Sequence, residues 1–228
     1  MTLTIYGIKE WGLALIATLL IEAGAGYLIW NNKFTTAAWI VGAIVLVVFF
    51  AFAAFFRNPR RQIPSNPLLL VSPADGTIKD IEVVEDFDLA PFTGKALRVG
   101  IFLSVFNVHV NRAPAEMTVE TVHYREGEYL DARDNEATKR NEAMTIAGTA
   151  VMGDTKFPLA VRQISGAIAR RIVCPVKAGK TIKRGAIDGM IKFGSRTEIY
   201  LPVDKFELNV KIGDKVNGGS SVIATMVE

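Results

Sequence analysis

Cysteine is nearly missing from this sequence of 228 residues: Cys174 stands alone, which rules out an internal disulfide and leaves the thiol to act as a small buried apolar group. Histidine is almost as scarce. Only His109 and His123 occur, in unlike surroundings, and a metallopeptidase, which needs several His and Asp ligands, is poorly served by them. No metal site is expected. Excess charge is also lacking: 26 basic against 23 acidic residues leave a net +3. That mild balance suits attraction to anionic lipid better than a nucleic-acid groove. No basic cluster interleaved with aromatics offers such a groove, and no nucleic-acid partner is expected.

What is abundant is apolar sequence. Half the residues are hydrophobic, and the excess is concentrated in the first quarter of the chain. Trp11 to Trp30 is an apolar run broken only by Glu22, and Ala37 to Phe56 carries no charge. At about 1.5 Å per residue, each run is long enough to cross the hydrocarbon core. Two such runs with a short link predict a transmembrane helical hairpin over residues 1–56, with spans at about 11–30 and 37–56. A cleaved signal peptide fits poorly, because the first run is too long and a second follows at once. Arg57, Arg60 and Arg61 follow the second span, while the link holds only Lys33. The positive-inside bias then places everything after residue 57 on the cytoplasmic side of the cell's inner membrane. Glu22 is costly in lipid; it faces the other helix, a partner or the mouth of a site, or it sits toward an interface without a role.

Residues 57–67, with three prolines and no periodicity, form a linker. Short β runs follow: Leu68–Val71, Gly76–Val84, Ala96–Leu103, Met117–Tyr124, Ala143–Ala150, Phe157–Ile164, Arg171–Pro175, Ala186–Phe193, Glu198–Pro202, Lys205–Val210 and Ser221–Met226. Such spacing predicts a mainly β sandwich or barrel-like domain over 68–228. One short helix is expected at Ser165–Arg170. The polar stretch Glu126–Asn141 is a long excursion, either a solvated loop or a lid. There is also a faint repeat, since Val176–Gly185 resembles Val210–Gly219. This strand–turn–strand unit is similar to the half-repeat of biotinyl and lipoyl carrier domains, a likeness that bears on fold more than function.

Three stretches carry candidate chemistry. Gly194-Ser195-Arg196 makes a tight step ahead of the alternating Glu198–Leu201. Taken alone, a serine behind a glycine is a turn, because glycine allows positive φ and serine bonds nearby backbone. The others are Ser72-Pro73-Ala74-Asp75-Gly76 and Phe106-Asn107-Val108-His109-Val110-Asn111-Arg112-Ala113-Pro114. A serine hydroxyl needs a base to become a nucleophile, and histidine suits that task near neutral pH. His123, in a plain strand, is expected on a sheet face.

Together with Gln163–Ile172, which reads Gln-Ile-Ser-Gly and then Ala-Arg-Arg-Ile, these stretches resemble the phosphatidylserine decarboxylase family in its shorter, Gly-Ser-Arg branch. The resemblance covers about 65–228 and implies a proenzyme that cuts itself between Gly194 and Ser195, giving a large chain 1–194 and a small chain 195–228. It implies a self-processing triad of Asp75, His109 and Ser195: Asp75 supports the imidazole, His109 deprotonates Ser195, and Ser195 attacks the Gly194 carbonyl. The cofactor implied is a covalent pyruvoyl group made from Ser195. It would take the amine of phosphatidylserine as a Schiff base and draw in the electrons left by CO₂. Pyridoxal phosphate would need a lysine with a pyridinium partner, and no such site is evident. The family also implies a homodimer acting on membrane lipid.

A common form of the family carries two histidines three apart where this chain has His109 and Arg112. His109 therefore inherits the role of processing base, of decarboxylation acid, or of both. Arg112 either holds the substrate phosphate or carboxylate or makes a surface ion pair. Arg170 and Arg171 either anchor phosphate or cap a helix end. The competing reading is a membrane-anchored carrier or adaptor of biotinyl type, for which Lys192 in Met190-Ile191-Lys192-Phe193 is a partial match to a modified lysine.

Overall fold

The computed structural model describes residues 2–134, 136–167, 171–192 and 194–227. The chain forms two compact units, Met1–Pro59 and Arg60–Glu228.

The first unit holds strand β1 (Thr2–Leu3), a 3-10 turn at Ile5–Gly7, helices α1 (Ile8–Trp30) and α2 (Thr35–Phe55), and strand β2 (Arg57–Asn58). At 23 and 21 residues the helices are roughly 32–35 Å long, and both are long and apolar enough to cross a membrane. The reversal between them passes through Asn32 and Phe34, both at φ 52°. Thr2 pairs with Asn58 and Leu3 with Arg57, so the start of the chain and the residues after α2 are tied together. Glu22 faces the other helix: a Cβ on Gly42 would lie 3.0 Å from its Oε2. Glycine thus makes the room for this carboxylate.

The second unit comprises β3 (Leu69–Val71), β4 (Gly76–Leu89), β5 (Phe92–Leu103), β6 (Val110–Arg112), β7 (Glu116–Arg125), α3 (Ala137–Arg140), β8 (Ala143–Met152), β9 (Thr155–Ser165), β10 (Arg171–Val173), β11 (Thr181–Ile182), β12 (Ile187–Lys192), β13 (Ser195–Pro202), β14 (Phe206–Leu208), β15 (Lys215–Val216) and β16 (Val222–Met226). Eight of them make a curled half-barrel sheet in the order β11-β7-β8-β9-β13-β5-β4-β15; two three-stranded sheets, β10-β12-β6 and β14-β16-β3, accompany it. The mainly β class follows the alternation along each run, which puts Val99, Ile101, Leu103, Ile199 and Leu201 into one buried core.

The faint repeat is a structural one. Gly179 N–H and Gly213 N–H bond to Val119 O and Ile78 O, and Val119 N–H and Ile78 N–H return bonds to Lys180 O and Asp214 O. Both glycines have positive φ, 82° and 96°. The two copies thereby cap opposite ends of the large sheet, one through β11 on β7 and the other through β15 on β4.

Two expectations change. Ser165 is the last residue of β9 rather than the start of a helix, and Ile168 to Arg170 lie outside the described residues. The Glu126–Asn141 excursion is pinned to the sheet. Buried Asn141 donates to Leu130 O and Ser165 O, both at 2.8 Å, and accepts from Leu130 N–H at 2.8 Å.

Candidate active site

Ser195 opens β13, the strand between β5 and β9, and pairs with Leu103 and Ser165. All eight residues of β13 are buried. Alternation sends Ser195, Thr197, Ile199 and Leu201 to one face and Arg196, Glu198 and Tyr200 to the other. Gly194, just before, has φ +68°. Among the described residues, no atom outside its chain neighbours would crowd a Cβ there closer than 4.0 Å, so it is the left-handed backbone that calls for glycine.

His109 reaches this step from the neighbouring chain segment. Beyond β5, Asn107 N–H bonds to Ser104 O, and the Asn107 side chain accepts from both N–H and Oγ of Ser104. That turn presents the Asn107 carbonyl to His109 Nδ1 at 3.0 Å. A carbonyl only accepts, so Nδ1 carries the proton and Nε2 holds a lone pair. Gly194 N–H donates to that lone pair at 3.2 Å. His109 is fully buried, and its own carbonyl accepts from Ile191 N–H on β12. Ser195 Oγ is likewise buried and makes no hydrogen bond among the described residues. Imidazole lone pair, glycine amide and unengaged hydroxyl thus meet at one peptide step.

The other side of that step rests on Gly166. A Cβ on Gly166 would lie 2.5 Å from Gly194 O and 3.2 Å from Gly194 C, so only glycine lets this carbonyl sit where it does. Gly166→Ala should displace the carbonyl. A shift on the order of 1 Å can cost about 10²-fold in rate, and cleavage of the 194–195 bond, followed as fraction cut against time, should slow by that order. Cutting at the wild-type rate would show that the close approach is irrelevant to the reaction.

Asp75 makes no hydrogen bond to His109 among the described residues. Its carboxylate accepts from Arg61 Nη2 at 2.8 and 2.7 Å and from Gly218 N–H at 2.8 Å. Arg112 lays its stem over the Gly219 turn and donates from Nη1 to Gly185 O at 2.9 Å; burial and the nearby Arg61 charge push its pKa down. Asp75 and Arg112 therefore hold the two repeat turns. Arg171 begins β10, in register with Lys192, and Arg170 lies outside the described residues. His123 is on an exposed face of β7.

Two features are invisible in the motifs. Arg196, fully buried, donates to Glu198 at 2.8 Å and to Asp80 at 2.7 Å, with Arg98 reaching Asp80 at 3.2 Å. Gly100 leaves room for its guanidinium, since a Cβ there would sit 2.3 Å from Nη2. This network fixes β13 against β5 and β4 immediately after the serine. The second is Asp188, in a bulge of β12 opposite β6. It is 1% exposed, its Oδ1 has no partner among the described residues, and burial pushes its carboxyl up to about 7 against the opposing charge of Arg112. Unfolded, the group ionises near its ordinary value of about 3.9. Between the two values the folded chain holds the extra proton, so stability is full below the lower one and falls as pH rises toward the upper. The slope is at most about 1.4 kcal/mol per pH unit. Asp188→Asn should flatten the fall in unfolding temperature between about pH 5 and 7; an unchanged slope would assign that dependence to another group.

A cavity of about 330 Å³ opens beside Gly194 and Gly166. Fold and site together define a mainly β protein with a buried serine and a buried histidine beside a Gly-Ser step in left-handed backbone. A sequence model of phosphatidylserine decarboxylase matches residues 48–224. The phosphatidylserine decarboxylase proenzyme of Carboxydothermus hydrogenoformans is 47% identical over 186 residues, covering 81% of this chain and 84% of the relative. That of Rhodopirellula baltica is 40% identical over 219 residues, 96% of this chain and 85% of the relative. The chain belongs to the phosphatidylserine decarboxylase family.

Proposed function

We propose that the chain decarboxylates phosphatidylserine to phosphatidylethanolamine and CO₂, using a pyruvoyl group that it makes from its own Ser195. The observation that carries this reading is the buried, unengaged Ser195 Oγ next to Gly194, whose amide occupies the lone pair of His109. A buried hydroxyl without a partner among the described residues is a poor structural choice and a good precursor for a group that must form there.

His109 Nε2 turns from the Gly194 amide to Ser195 Oγ and takes its proton as Oγ attacks the Gly194 carbonyl. The C–N bond breaks, the Ser195 nitrogen receives the proton, and an ester results. β-Elimination removes the Ser195 Cα proton and frees the Gly194 carboxylate, leaving a dehydroalanine; its imine tautomer takes up water and loses ammonia, which leaves the pyruvoyl group at position 195. Asn107 holds the imidazole in the tautomer this requires. The pyruvoyl ketone, once formed, supplies the electron sink for loss of CO₂. His109 is also placed to return a proton near residue 195. The small chain 195–228 stays embedded, because β13, β15 and β16 pair with β5, β9, β4 and β3 of the large chain. Asp75 supports the site through Arg61 and the Gly218 turn.

The two helices cross the membrane, with Arg57, Arg60 and Arg61 keeping the β domain on the cytoplasmic face of the inner membrane. A cysteine placed at Lys33, in a chain lacking Cys174, should be labelled from the opposite side in intact cells; labelling only after permeabilisation reverses that topology. The activity is tested by CO₂ release from phosphatidylserine labelled in its serine carboxyl. Processed protein should release label, and label retained by fully processed protein would refute the reading.

A further inference from the structure

The face of β13 that carries Ser195 carries Thr197 two residues on, and both are fully buried. On β9, Ser165 pairs with Ser195 and Gln163 with Thr197. Paired residues share a face, so the Gln163 side chain stands beside Thr197. Strands β6 and β12 face this pair. Asn111 of β6 pairs with Gly189 of β12, and its Nδ2 donates to Thr197 Oγ1 at 2.7 Å. The Gln163 amide lies against Gly189, where a Cβ would overlap both of its ends. Asn111, Thr197 and Gln163 therefore form a layer two residues along from His109, Ser195 and Ser165 on the same three strands. This second layer is polar and under-bonded. Gln163 and Asn111 are fully buried, yet both amide atoms of Gln163 and Oδ1 of Asn111 have no hydrogen-bond partner among the described residues. Ser195 Oγ, one layer up, has none either. Filling the same space with an apolar side chain would avoid that cost.

We propose that Gln163 and Asn111 hold a water next to residue 195, and that this is the water consumed when the imine there becomes pyruvoyl. The proposal rests on the pyruvoyl reading and adds the residues that serve its last step. A buried water takes two to four polar partners, and Gln163 Oε1 and Asn111 Oδ1 can accept both of its protons. That leaves an oxygen lone pair for the imine carbon. Gln163, Asn111 and Thr197 are not among the residues lining the cavity beside Gly194, so a small occupant held inside the fold suits them better than a headgroup entering from that mouth. The step balances without an oxidant. The water oxygen bonds to the imine carbon and one of its protons passes to the imine nitrogen. The second proton follows as the C=O forms, the C–N bond breaks and ammonia leaves. Attack by Ser195 and the elimination come earlier and consume no water. Both side chains act through the water and are positioning residues, so their loss should separate cutting of the chain from completion of the pyruvoyl group.

The full chain, freshly synthesised in detergent, is quenched with borohydride at intervals as it cuts. The quench reduces an imine end to alanine, which can be sequenced from its N-terminus, and a pyruvoyl end to lactate, which is blocked. Wild type should show lactoyl ends on nearly every cut chain. Gln163→Met, similar in shape but without the amide, should cut at about the wild-type rate. Its alanine ends should persist about tenfold longer, the upper range for one ordinary hydrogen bond. Gln163→Glu, which keeps an oxygen at the same place, should recover part of the loss. In a Ser195→Ala background, where nothing is expected to cut, adding Gln163→Met should not lower the unfolding temperature, because the polar atoms removed have no partner among the described residues. Alanine ends no longer-lived in Gln163→Met than in wild type overturn the proposal and leave the decarboxylase reading intact. Cutting and pyruvoyl formation slowed in step, or a lower unfolding temperature, make Gln163 a structural residue and overturn it as well. A wild type that cuts without yielding a lactoyl end overturns the pyruvoyl reading itself.

Discussion

Ser195→Ala should migrate as one uncut chain on a denaturing gel and release no CO₂ from phosphatidylserine. The hydroxyl is the only atom that changes, and it makes no hydrogen bond among the described residues, so the fold has little reason to respond. Removing a buried hydroxyl without a partner leaves no stranded donor or acceptor behind. The unfolding temperature should therefore stay near that of wild-type chains collected before they cut. An uncut, folded and inactive chain separates loss of the nucleophile from loss of structure. Cutting at the same bond in Ser195→Ala would mean that another group attacks the Gly194 carbonyl.

His109→Ala should cut more slowly by about 10²–10⁴-fold, the usual contribution of a general acid or base. Two effects combine: the base is lost, and Gly194 N–H loses the acceptor that orients the peptide step. The readout is the fraction cut over time, alongside CO₂ release per pyruvoyl-bearing chain. Normal cutting with slow turnover would assign His109 to protonation during decarboxylation alone. Normal values of both would remove it from the mechanism. Asp75→Asn is the control. Asp75 is paired with Arg61, both side chains nearly buried at 9% and 12% exposure, and it is His109's neighbour Asn107 that faces the imidazole. Breaking one side of a buried pair typically costs about 3–5 kcal/mol, so this variant should lose thermal stability and cut more slowly, but less so than His109→Ala. A shifted pH dependence of cutting with unchanged stability would instead bring Asp75 to the imidazole.

The legible parts of this protein are those whose signal is local. Strand runs alternate along the chain, spans are long and apolar, and Gly179 and Gly213 mark equivalent turns in both copies of the repeat. The step at Gly194-Ser195 reads alone as an ordinary turn and stood out only beside the Asp75 and His109 stretches, through the family resemblance; the φ of +68° at Gly194 is the local part of its signal. What stayed hidden depends on partners distant in sequence. Arg196 and Glu198 in an alternating strand would ordinarily mark a solvated face; here both are fully buried because Asp80 and Arg98 arrive from β4 and β5. Gly166 looked like one small residue among several, and nothing in Gln163–Ile172 indicates that its missing Cβ is replaced by the Gly194 carbonyl. Asp188 carries a raised carboxyl because a bulge turns it into the interior, and bulges leave little trace in sequence. The pairing of Asp75 with Arg61 spans the end of the proline-rich stretch, whose composition reads as a linker and whose Arg61 nevertheless belongs to the β unit.

The most direct test of the whole account is the intact mass of the purified wild-type protein under denaturing conditions. Two species are expected, residues 1–194 ending in a free Gly194 carboxylate and residues 195–228 beginning with a pyruvoyl group in place of serine. A single species with the mass of the uncut chain, or a small chain beginning with unmodified serine, would contradict it.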